Sequence, residues 1–256
     1  MDTQQQKKYK ILLIGDNGVD QYQYGTVNRI SPEAPVPVLD LSHTITKPGM
    51  AANVKQNLEA LGCSVMFEHG LKTCIKTRVI DLRSKQQLLR IDQDQESRPV
   101  KINHSTLDRY DAIVISDYAK GSVEYSTVQN LRYHYTGPIF VDTKKTDLAK
   151  FSGCTIKINQ LEYERLVTKP DSLSDMIVTQ GDRGAEWNGI LIPAVPVEVA
   201  DVCGAGDTFL AALAYGYLEH KDMEQAVQFA IQASAVTVQH VGVYAPTLEE
   251  INQEKS

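Results

Sequence analysis

Residues 201–214 read DVCGAGDTFLAALA, a turn of small residues that runs directly into an apolar segment. The pattern predicts a tight turn that opens a buried helix, where the first N–H groups lack intrahelical partners and the helix dipole favours negative charge. Asp207 repels an anion at this place, but it can accept a proton from a hydroxyl beside a migrating phosphoryl group. The stretch therefore indicates phosphoryl transfer to an alcohol, although GAGD alone also fits a turn with an ordinary helix N-terminal carboxylate.

The composition of the 256-residue chain is ordinary for a globular protein, with 42% hydrophobic and 23% charged residues. The 32 acidic and 26 basic residues give a net charge of −6 without a dense Lys/Arg block, which argues against nucleic acid or an anionic membrane as a partner. The four cysteines are scattered, and no apolar stretch has the length of a membrane span or the form of a signal peptide. We therefore expect reduced thiols and a cytoplasmic protein.

Short apolar runs alternate with helical periodicities along the chain. The runs are mostly continuous, as is typical of strands buried on both faces of a parallel sheet. The predicted strands are Lys10–Gly15, Ala112–Ser116, Pro138–Asp142, Thr155–Asn159 and Met176–Thr179. The predicted helices are Ala51–Leu61, Val123–Tyr135, Ala205–Leu218 and Met223–Val238. This alternation predicts an α/β layered fold with a central, mostly parallel sheet flanked by helices.

Two segments, Tyr22–Thr46 and Ile75–Asp92, break the alternation because they combine strand-like residues with many polar positions. We interpret them as an antiparallel β-flap beside the main sheet. The flap would take up about residues 21–46 and 74–93 of a single domain that spans residues 1–256. Such a flap can cover a substrate or pair with the flap of a second subunit, so we expect a homodimer formed through it.

Polar residues follow the predicted strands at their carboxyl ends, which is where open α/β sheets bind ligands. Four motifs occur in order, namely GMAAN at 49–53, NQLE at 159–162, TQGDRG at 179–184 and DVCGAGD at 201–207. In this order they resemble the ribokinase-like carbohydrate kinases, and the likeness covers nearly the whole chain. RISPEAPVP at 29–37, QQLLRID at 86–92 and SDYAKG at 116–121 are similar to the heptose-phosphate kinase domain of ADP-heptose synthesis.

The resemblance implies the roles of the phosphoryl-transfer residues. Asp207 would be the base that takes the proton of a sugar hydroxyl. Gly204, Ala205 and Gly206 would bind the transferring phosphoryl group through their backbone N–H groups.

The resemblance also implies the ligands of the nucleotide, the metal ions and the sugar. Asn159 and Glu162 would hold the Mg²⁺ of Mg·ATP through water, and Asp201 would help to bind a monovalent cation such as K⁺. The residues implied for the nucleotide are Asn159, Thr179, Gly181, Gly184, Gly204 and Gly206. The sugar hydroxyls would be bound by Asp16, Asp20, Gly49 and Asn53. The cations implied for a phosphate on the sugar are Arg78, Lys120 and Lys144, with Arg29, Arg83 and Arg90 as further candidates.

By the same resemblance the chain is expected to be an ATP-dependent sugar kinase that phosphorylates C1 of D-glycero-D-manno-heptose 7-phosphate. Two alternatives stay open: a kinase for another sugar, sugar phosphate or nucleoside, and a catalytically weak nucleotide- or sugar-binding homologue. They are favoured by Met50, which stands where the family has a second glycine, and by the shortness of Cys63–Cys74, where relatives carry an extra α/β element. Ile231 also departs from the asparagine of close relatives. P-loop kinases are excluded because the motif Gly-x-x-x-x-Gly-Lys-[Ser/Thr] does not occur.

Overall fold

The computed structural model describes residues 9–172 and 175–253. Its strands are β1 (Lys10–Gly15), β2 (Asn17–Ile30), β3 (Pro37–Met50), β4 (Ser64–His69), β5 (Cys74–Asp81), β6 (Gln87–Gln93), β7 (Ala112–Asp117), β8 (Ile139–Thr143), β9 (Thr155–Asn159), β10 (Met176–Thr179), β11 (Ala185–Trp187) and β12 (Ile190–Ile192). Its α-helices are α1 (Ala51–Ala60), α2 (Tyr125–His134), α3 (Gln160–Tyr163), α4 (Ala205–His220), α5 (Met223–Val238) and α6 (Leu248–Gln253).

Eight strands form the main sheet, in the order β12-β11-β10-β9-β8-β7-β1-β4. Neighbouring strands are parallel from β10 to β4, whereas β11 and β12 add an antiparallel edge. One face packs against α1, α4 and α5, and the other packs against α2 and short 3-10 turns. The central strands are apolar on both sides because both faces are covered. The predicted α/β fold with a mostly parallel sheet is confirmed.

The limits of the elements follow the sequence pattern closely where the strands are fully buried. β1, β9, β10 and α5 begin and end at the predicted residues, β7 is one residue longer than predicted, and β8 is shifted by one residue at both ends. The prediction missed β4, which is an edge strand with alternating exposure, and the three-residue strands β11 and β12. Short or half-exposed strands carry too few apolar residues to stand out from a loop.

The flap is a second sheet of four strands in the order β3-β2-β5-β6. Its outer pairs are antiparallel, but the central pair of β2 and β5 is parallel, so the expectation of an antiparallel flap is wrong at its centre. The reason lies in the main sheet, where β1 and β4 are parallel neighbours. β2 follows β1 and β5 follows β4, so these two segments of the chain leave the main sheet side by side in the same direction.

The carboxyl ends of the parallel strands meet at one edge, together with the flap and the N-terminus of α4. Contacts between α4 and strands β7 and β8, and between α1 and β2 and β3, hold these parts together. This edge is where the sequence predicts the ligand site. Within the described residues, no helix combines the length and the apolar character needed to cross a membrane.

Candidate active site

Asp207 lies in the first turn of α4, where the helix N-terminus meets the strand ends, and is 7% exposed. Gly204 precedes the helix with a left-handed φ of 82°, which glycine adopts without strain. A Cβ on Gly204 would also lie 3.0 Å from Nδ2 of Asn53, so the close approach of α1 needs glycine here. The turn and the buried helix predicted from residues 201–214 are therefore present.

The backbone N–H groups at this helix start differ in their availability. The N–H of Ala205 donates to the carbonyl of Val202 at 3.3 Å, and the N–H of Thr208 donates to that of Gly204 at 2.9 Å. Between them stand Gly206 and Asp207, whose N–H groups have no intrahelical acceptor at these positions. Among the described residues, these two amides are best placed to face an anion, and Ala205 contributes less than the sequence predicts.

The carboxylate of Asp207 is held at both oxygens. Asn53 Nδ2 donates to Oδ2 at 2.9 Å, and the hydroxyl of Tyr118 donates to Oδ1 at 2.7 Å. Burial raises the pKa of Asp207 to about 6, although both hydrogen bonds act to lower it. The side chain is therefore mainly ionised at neutral pH, yet it is a stronger base than an exposed aspartate.

A buried chain of hydrogen bonds orients Asn53 toward the base. The hydroxyl of Thr237 donates to that of Thr208, and Thr208 donates to Oδ1 of Asn57 at 2.8 Å. Asn57 Nδ2 then donates to the carbonyl oxygen of Asn53 at 2.8 Å. The chain links α5, α4 and α1, so the position of the base depends on the packing of three helices. No local sequence pattern signals it, because its members are far apart along the chain.

Tyr118 is not among the predicted site residues, although it lies in the SDYAKG segment after β7. Burial raises the pKa of its phenol well above the ordinary value, so the hydroxyl stays protonated and donates to Asp207. The loop that carries it is anchored by Asp16, whose carboxylate accepts the N–H groups of Tyr118, Lys120 and Ser122 at 2.9–3.0 Å. Asp16 is 1% exposed. We therefore reassign Asp16 from a direct sugar ligand to a residue that positions this loop.

The prediction also missed an ion pair that lies next to the start of α4. Lys157 Nζ donates to Oδ2 of Asp142 at 2.7 Å, and both side chains are largely buried. A Cβ on Gly206 would lie 3.0 Å from this Nζ, so the ammonium group is next to the available amides. A lysine within the buried strand TIKIN is the signal in the sequence, because an apolar strand has no structural need for it.

The inner face of the flap brings several charged residues to the sugar side. Asp20 and Arg78, on adjacent strands, form an ion pair, and Arg78 Nη2 also contacts Sγ of Cys203 at 3.3 Å. Arg90 lies opposite Arg78 in the antiparallel pair, so their side chains share a face. Lys76 lies two residues before Arg78 on β5 and therefore on the same face, with its Nζ 5.1 Å from the ring centre of Tyr118. The predicted Asp20 and Arg78 are thus brought together, and Lys76 and Arg90 join them.

The other residues predicted to bind the sugar or its phosphate, Gly49, Lys120 and Lys144, lie in three different surroundings. A Cβ on Gly49 would lie 2.5 Å from Oδ2 of Asp20, so glycine is required for this carboxylate to face the cleft. Lys120 forms an ion pair with Asp94 at the protein surface. Lys144 forms an ion pair with Glu162, and its Nζ is 5.3 Å from the ring centre of Tyr118. Lys144 therefore lies between Tyr118 and the start of α3, and Lys120 is engaged with Asp94.

Asn159 and Glu162 form a reciprocal cap at the start of α3. The N–H of Glu162 donates to Oδ1 of Asn159, and the N–H of Asn159 donates to Oε2 of Glu162, both at 2.9 Å. No cluster of three or more His, Cys, Asp or Glu side chains that could hold a metal by itself occurs in the described ranges. Mg²⁺ commonly binds one carboxylate, water and substrate phosphates. This donor set fits a magnesium ion that arrives with the nucleotide and contacts Glu162 through water.

A cavity of about 500 Å³ opens beside the helix start. Of the predicted nucleotide residues, Thr179, Gly181, Gly184 and Gly206 line it. Its volume suits a ligand the size of a nucleotide. Asp201 lies at the start of the turn, where its carboxylate accepts the N–H groups of Cys203 at 3.0 Å and Gly242 at 2.9 Å. Asp201 thus joins two loops, and its role as a cation ligand stays a prediction.

Met50, which replaces an expected glycine, is the N-cap of α1. Its backbone has a φ of 55° and a ψ of −134°, a region that glycine occupies much more easily than other residues. The side chain is 4% exposed and packs on Gly18, where a Cβ would lie 2.6 Å from Sδ of Met50. The methionine is therefore buried at the junction of the flap and the main sheet, at the cost of a strained backbone.

Comparison with known proteins agrees with this arrangement. Residues 148–251 match the model of the pfkB family carbohydrate kinases. The bifunctional protein HldE of a Nitratiruptor species is 32% identical over 302 residues, covering 96% of this chain and 65% of that protein. Residues 148–251 thus carry the sequence signature of the pfkB family of carbohydrate kinases. HldE of Campylobacter jejuni is also 32% identical, over 98% of this chain and 66% of that protein, so the chain spans somewhat less than two thirds of these relatives.

Solved phosphofructokinase-2 and ribokinase structures share the fold of this chain. Phosphofructokinase-2 from Escherichia coli in complex with potassium superposes with a TM-score of 0.72 at 17% identity, covering 96% of this chain and 98% of that one. Ribokinase of Arabidopsis thaliana complexed with ribose and ATP has a TM-score of 0.72 at 16% identity, covering 97% and 99%. At this identity the likeness concerns the fold, which is ribokinase-like as the motifs predict.

The strain at Met50 predicts an unusual order of stabilities. Met50→Ala loses the buried side chain, worth about 2–5 kcal/mol, and keeps the strained backbone. Met50→Gly loses the same side chain but relieves the backbone, so it should be about 1 kcal/mol more stable than Met50→Ala. Urea unfolding of both variants and the wild type measures this order. An alanine variant at least as stable as the glycine variant would contradict the strained conformation.

The hydrogen bond from Tyr118 predicts a shift in pH dependence. Tyr118→Phe removes a donor to the ionised carboxylate, so the pKa of Asp207 should rise by about one unit. The acid limb of the kcat/KM profile should then move to higher pH, and activity should fall more at pH 6 than at pH 8. Tyr135→Phe is the matched control, since Tyr135 is a buried tyrosine whose hydroxyl donates to the carbonyl of Tyr110. Superimposable pH profiles for Tyr118→Phe and the wild type would overturn the assignment of Tyr118 as a hydrogen-bond donor to the ionised Asp207.

Proposed function

We propose that this kinase transfers the γ-phosphoryl group of Mg·ATP to a hydroxyl of a sugar phosphate, with Asp207 as the base. The observation that carries the proposal is the buried Asp207 carboxylate at the start of α4, beside the available amides of Gly206 and Asp207. In a loose phosphoryl-transfer transition state the proton leaves late, so a carboxylate with a pKa of about 6 suffices as base. The amides and Lys157 would stabilise charge on the transferring phosphoryl oxygens.

The nucleotide would occupy the 500 Å³ cavity with its phosphates toward Gly206. Bound Mg²⁺ would neutralise phosphate charge, and Glu162 would hold it through water. Lys144 forms an ion pair with Glu162 and lies near the ring of Tyr118. From there its ammonium group would contact the phosphates during transfer. A monovalent cation near Asp201 and a cytoplasmic location stay predictions of the sequence.

The acceptor that we propose is C1 of a heptose 7-phosphate. The support is the name HldE of the relatives and the RISPEAPVP segment, together with Lys76, Arg78 and Arg90 on the inner face of the flap, where Arg78 is paired with Asp20 and Arg90 with Asp92. Such a set of cations suits a sugar that already carries a phosphate, because cations recognise phosphate through charge-assisted hydrogen bonds. Asp20 and Asn53 would contact the sugar hydroxyls.

Replacement of the base tests the reaction class. Asp207→Asn should lower kcat by about 10²–10⁴, because proton acceptance is lost while the size and shape of the side chain are preserved. ADP release is measured with heptose 7-phosphate, fructose 6-phosphate, ribose and a nucleoside as acceptors. Asp222→Asn is the matched control, since Asp222 caps α5 outside the site through the N–H of Gln225. Unchanged turnover in Asp207→Asn would refute Asp207 as the base. If nucleotide binds but no acceptor gives ADP release, a binding homologue would be favoured.

Replacement of a flap cation tests the acceptor class. Arg90→Gln should raise KM for the phosphorylated sugar about 10- to 100-fold, which corresponds to one lost charge-assisted hydrogen bond. It should leave an unphosphorylated sugar nearly unaffected. Arg83→Gln, in the turn before β6, is the control because Arg83 donates to Oδ1 of Asn28 away from the cleft. Equal effects on both kinds of sugar would contradict a phosphate subsite at Arg90.

We also propose that two copies of the chain associate through the flap. Large apolar side chains are exposed on its strands and turns: Ile30, Val36, Leu41, Ile45, Leu82, Leu88, Leu89 and Ile91. Ile45 and Leu89 lie on opposite faces of the flap, as the strand register requires. Exposed apolar side chains gathered on one small sheet are typical of an interaction site.

The double variant Ile45→Asp/Leu89→Asp tests the dimer. Sedimentation at micromolar concentration should give a dimer mass for the wild type and a monomer mass for the double variant, because buried carboxylates would oppose association. Ile190→Asp on β12 is the control, since Ile190 is 60% exposed at the far edge of the main sheet. A monomeric wild type would exclude the proposed interface.

A further inference from the structure

The walls of the nucleotide cavity are apolar away from the helix start. One wall is a stripe on α5 made by Ile231, Ser234, Ala235 and Val238, which lie three or four residues apart and so share a helix face. The opposite wall comes from the irregular segment at 194–199, with the side chains of Ala194, Val195, Pro196, Val197 and Val199. From Val238 to Ile231 the stripe runs about 10 Å along the helix, enough to cover a nucleobase.

The polar side chains that line the cavity lie near its phosphate end or are already engaged. Thr179 donates its hydroxyl to the carbonyl of Ile158 at 3.3 Å. Ser234 donates its hydroxyl to the carbonyl of Ala205 at 3.3 Å, and retains the capacity to accept a hydrogen bond. Asp182 is exposed in the turn after β10, next to Gly181. Beyond these, the lining side chains among the described residues are hydrocarbon.

Nucleobases differ from one another in their hydrogen-bonding edges much more than in their apolar faces. Adenine carries a 6-amino donor, whereas guanine carries a 6-oxo acceptor and a 2-amino donor. A site that hydrogen-bonds such a group rejects an analogue lacking it by about 10⁴- to 10⁵-fold, whereas an apolar pocket rejects small changes by about 10²-fold or less. The chemistry of the cavity walls therefore predicts weak selection among bases that fit by shape.

We infer that this kinase holds the base of its phosphoryl donor by apolar contact alone and accepts guanosine and inosine triphosphates alongside ATP, with Ile231 as the residue that sets this tolerance. The inference rests on the proposed function for the placement of a nucleotide in the cavity. Ile231 is central because it is 7% exposed and lies one helical turn from Ser234, whose hydroxyl bonds Ala205 at the helix start, on the side away from Val238.

Calorimetric titration of the full chain with ADP, GDP, IDP and CDP, with Mg²⁺ and without sugar, tests the inference. The three purine diphosphates should bind with dissociation constants within about tenfold of one another. A preference for ADP over GDP of about 100-fold or more would overturn it and would mean that main-chain groups of residues 194–199 or the Ser234 hydroxyl read the base. That result leaves the proposed function intact, whereas absence of binding by all four nucleotides would overturn the placement of the nucleotide as well.

Variants at the α5 wall locate the selectivity. Ile231→Asn adds a donor and an acceptor, so the ratio of the ADP and GDP dissociation constants should change at least about tenfold. Ile231→Val keeps an apolar wall of similar shape and should leave that ratio unchanged. Ser234→Ala should also leave the ratio unchanged, because the remaining lone pair of Ser234 is not used to read the base. An unchanged ratio in Ile231→Asn, or a changed ratio in Ser234→Ala, would overturn the assignment to Ile231.

Discussion

The carboxylate of Asp207 is buried, and its burial is the constraint on which the rest of the site depends. A buried charge is tolerated where hydrogen bonds replace its water, and Asn53 and Tyr118 supply one bond to each oxygen. The two donors come from different elements, one from the start of α1 and one from the loop after β7. Any element that moved relative to α4 would leave the charge unsolvated. Asp207 therefore ties the helical layer to the strand ends.

The same edge of the sheet separates two kinds of ligand surface. The side that we propose for the sugar is lined by the flap, whose inner face carries Asp20 with Lys76, Arg78 and Arg90. The side that we propose for the nucleotide is lined by α5 and the segment at 194–199 and is almost wholly apolar. Lys157 and the first amides of α4 lie between them, where a phosphoryl group would pass from one ligand to the other. This division explains why strong charges cluster on one side and hydrocarbon on the other.

The flap and the main sheet are continuous, and this continuity has structural consequences. β2 leaves β1 and β5 leaves β4 in parallel, so the central pair of the flap repeats the direction of the sheet below it. Met50 stands at the return point of β3 into α1 with a positive φ, and its side chain fills the space over Gly18. A change at this junction would act on the flap and on Asn53 in the first turn of the following helix.

The sequence by itself determined the fold class, the five buried strands and the turn that carries Asp207, because continuous apolar runs and glycine-rich turns are local signals. The family motifs also named Asp20, Asn53 and Glu162 as site residues, whereas Arg78 was one of several candidate cations. Tertiary structure alone decided that Asp16 supports a loop, that Lys120 pairs with Asp94, and that Tyr118 and Lys157 lie beside Asp207 and the start of α4. Those assignments depend on which distant backbone N–H or carboxylate each side chain meets, and such pairings across 15 to about 150 residues leave no periodic trace in the chain.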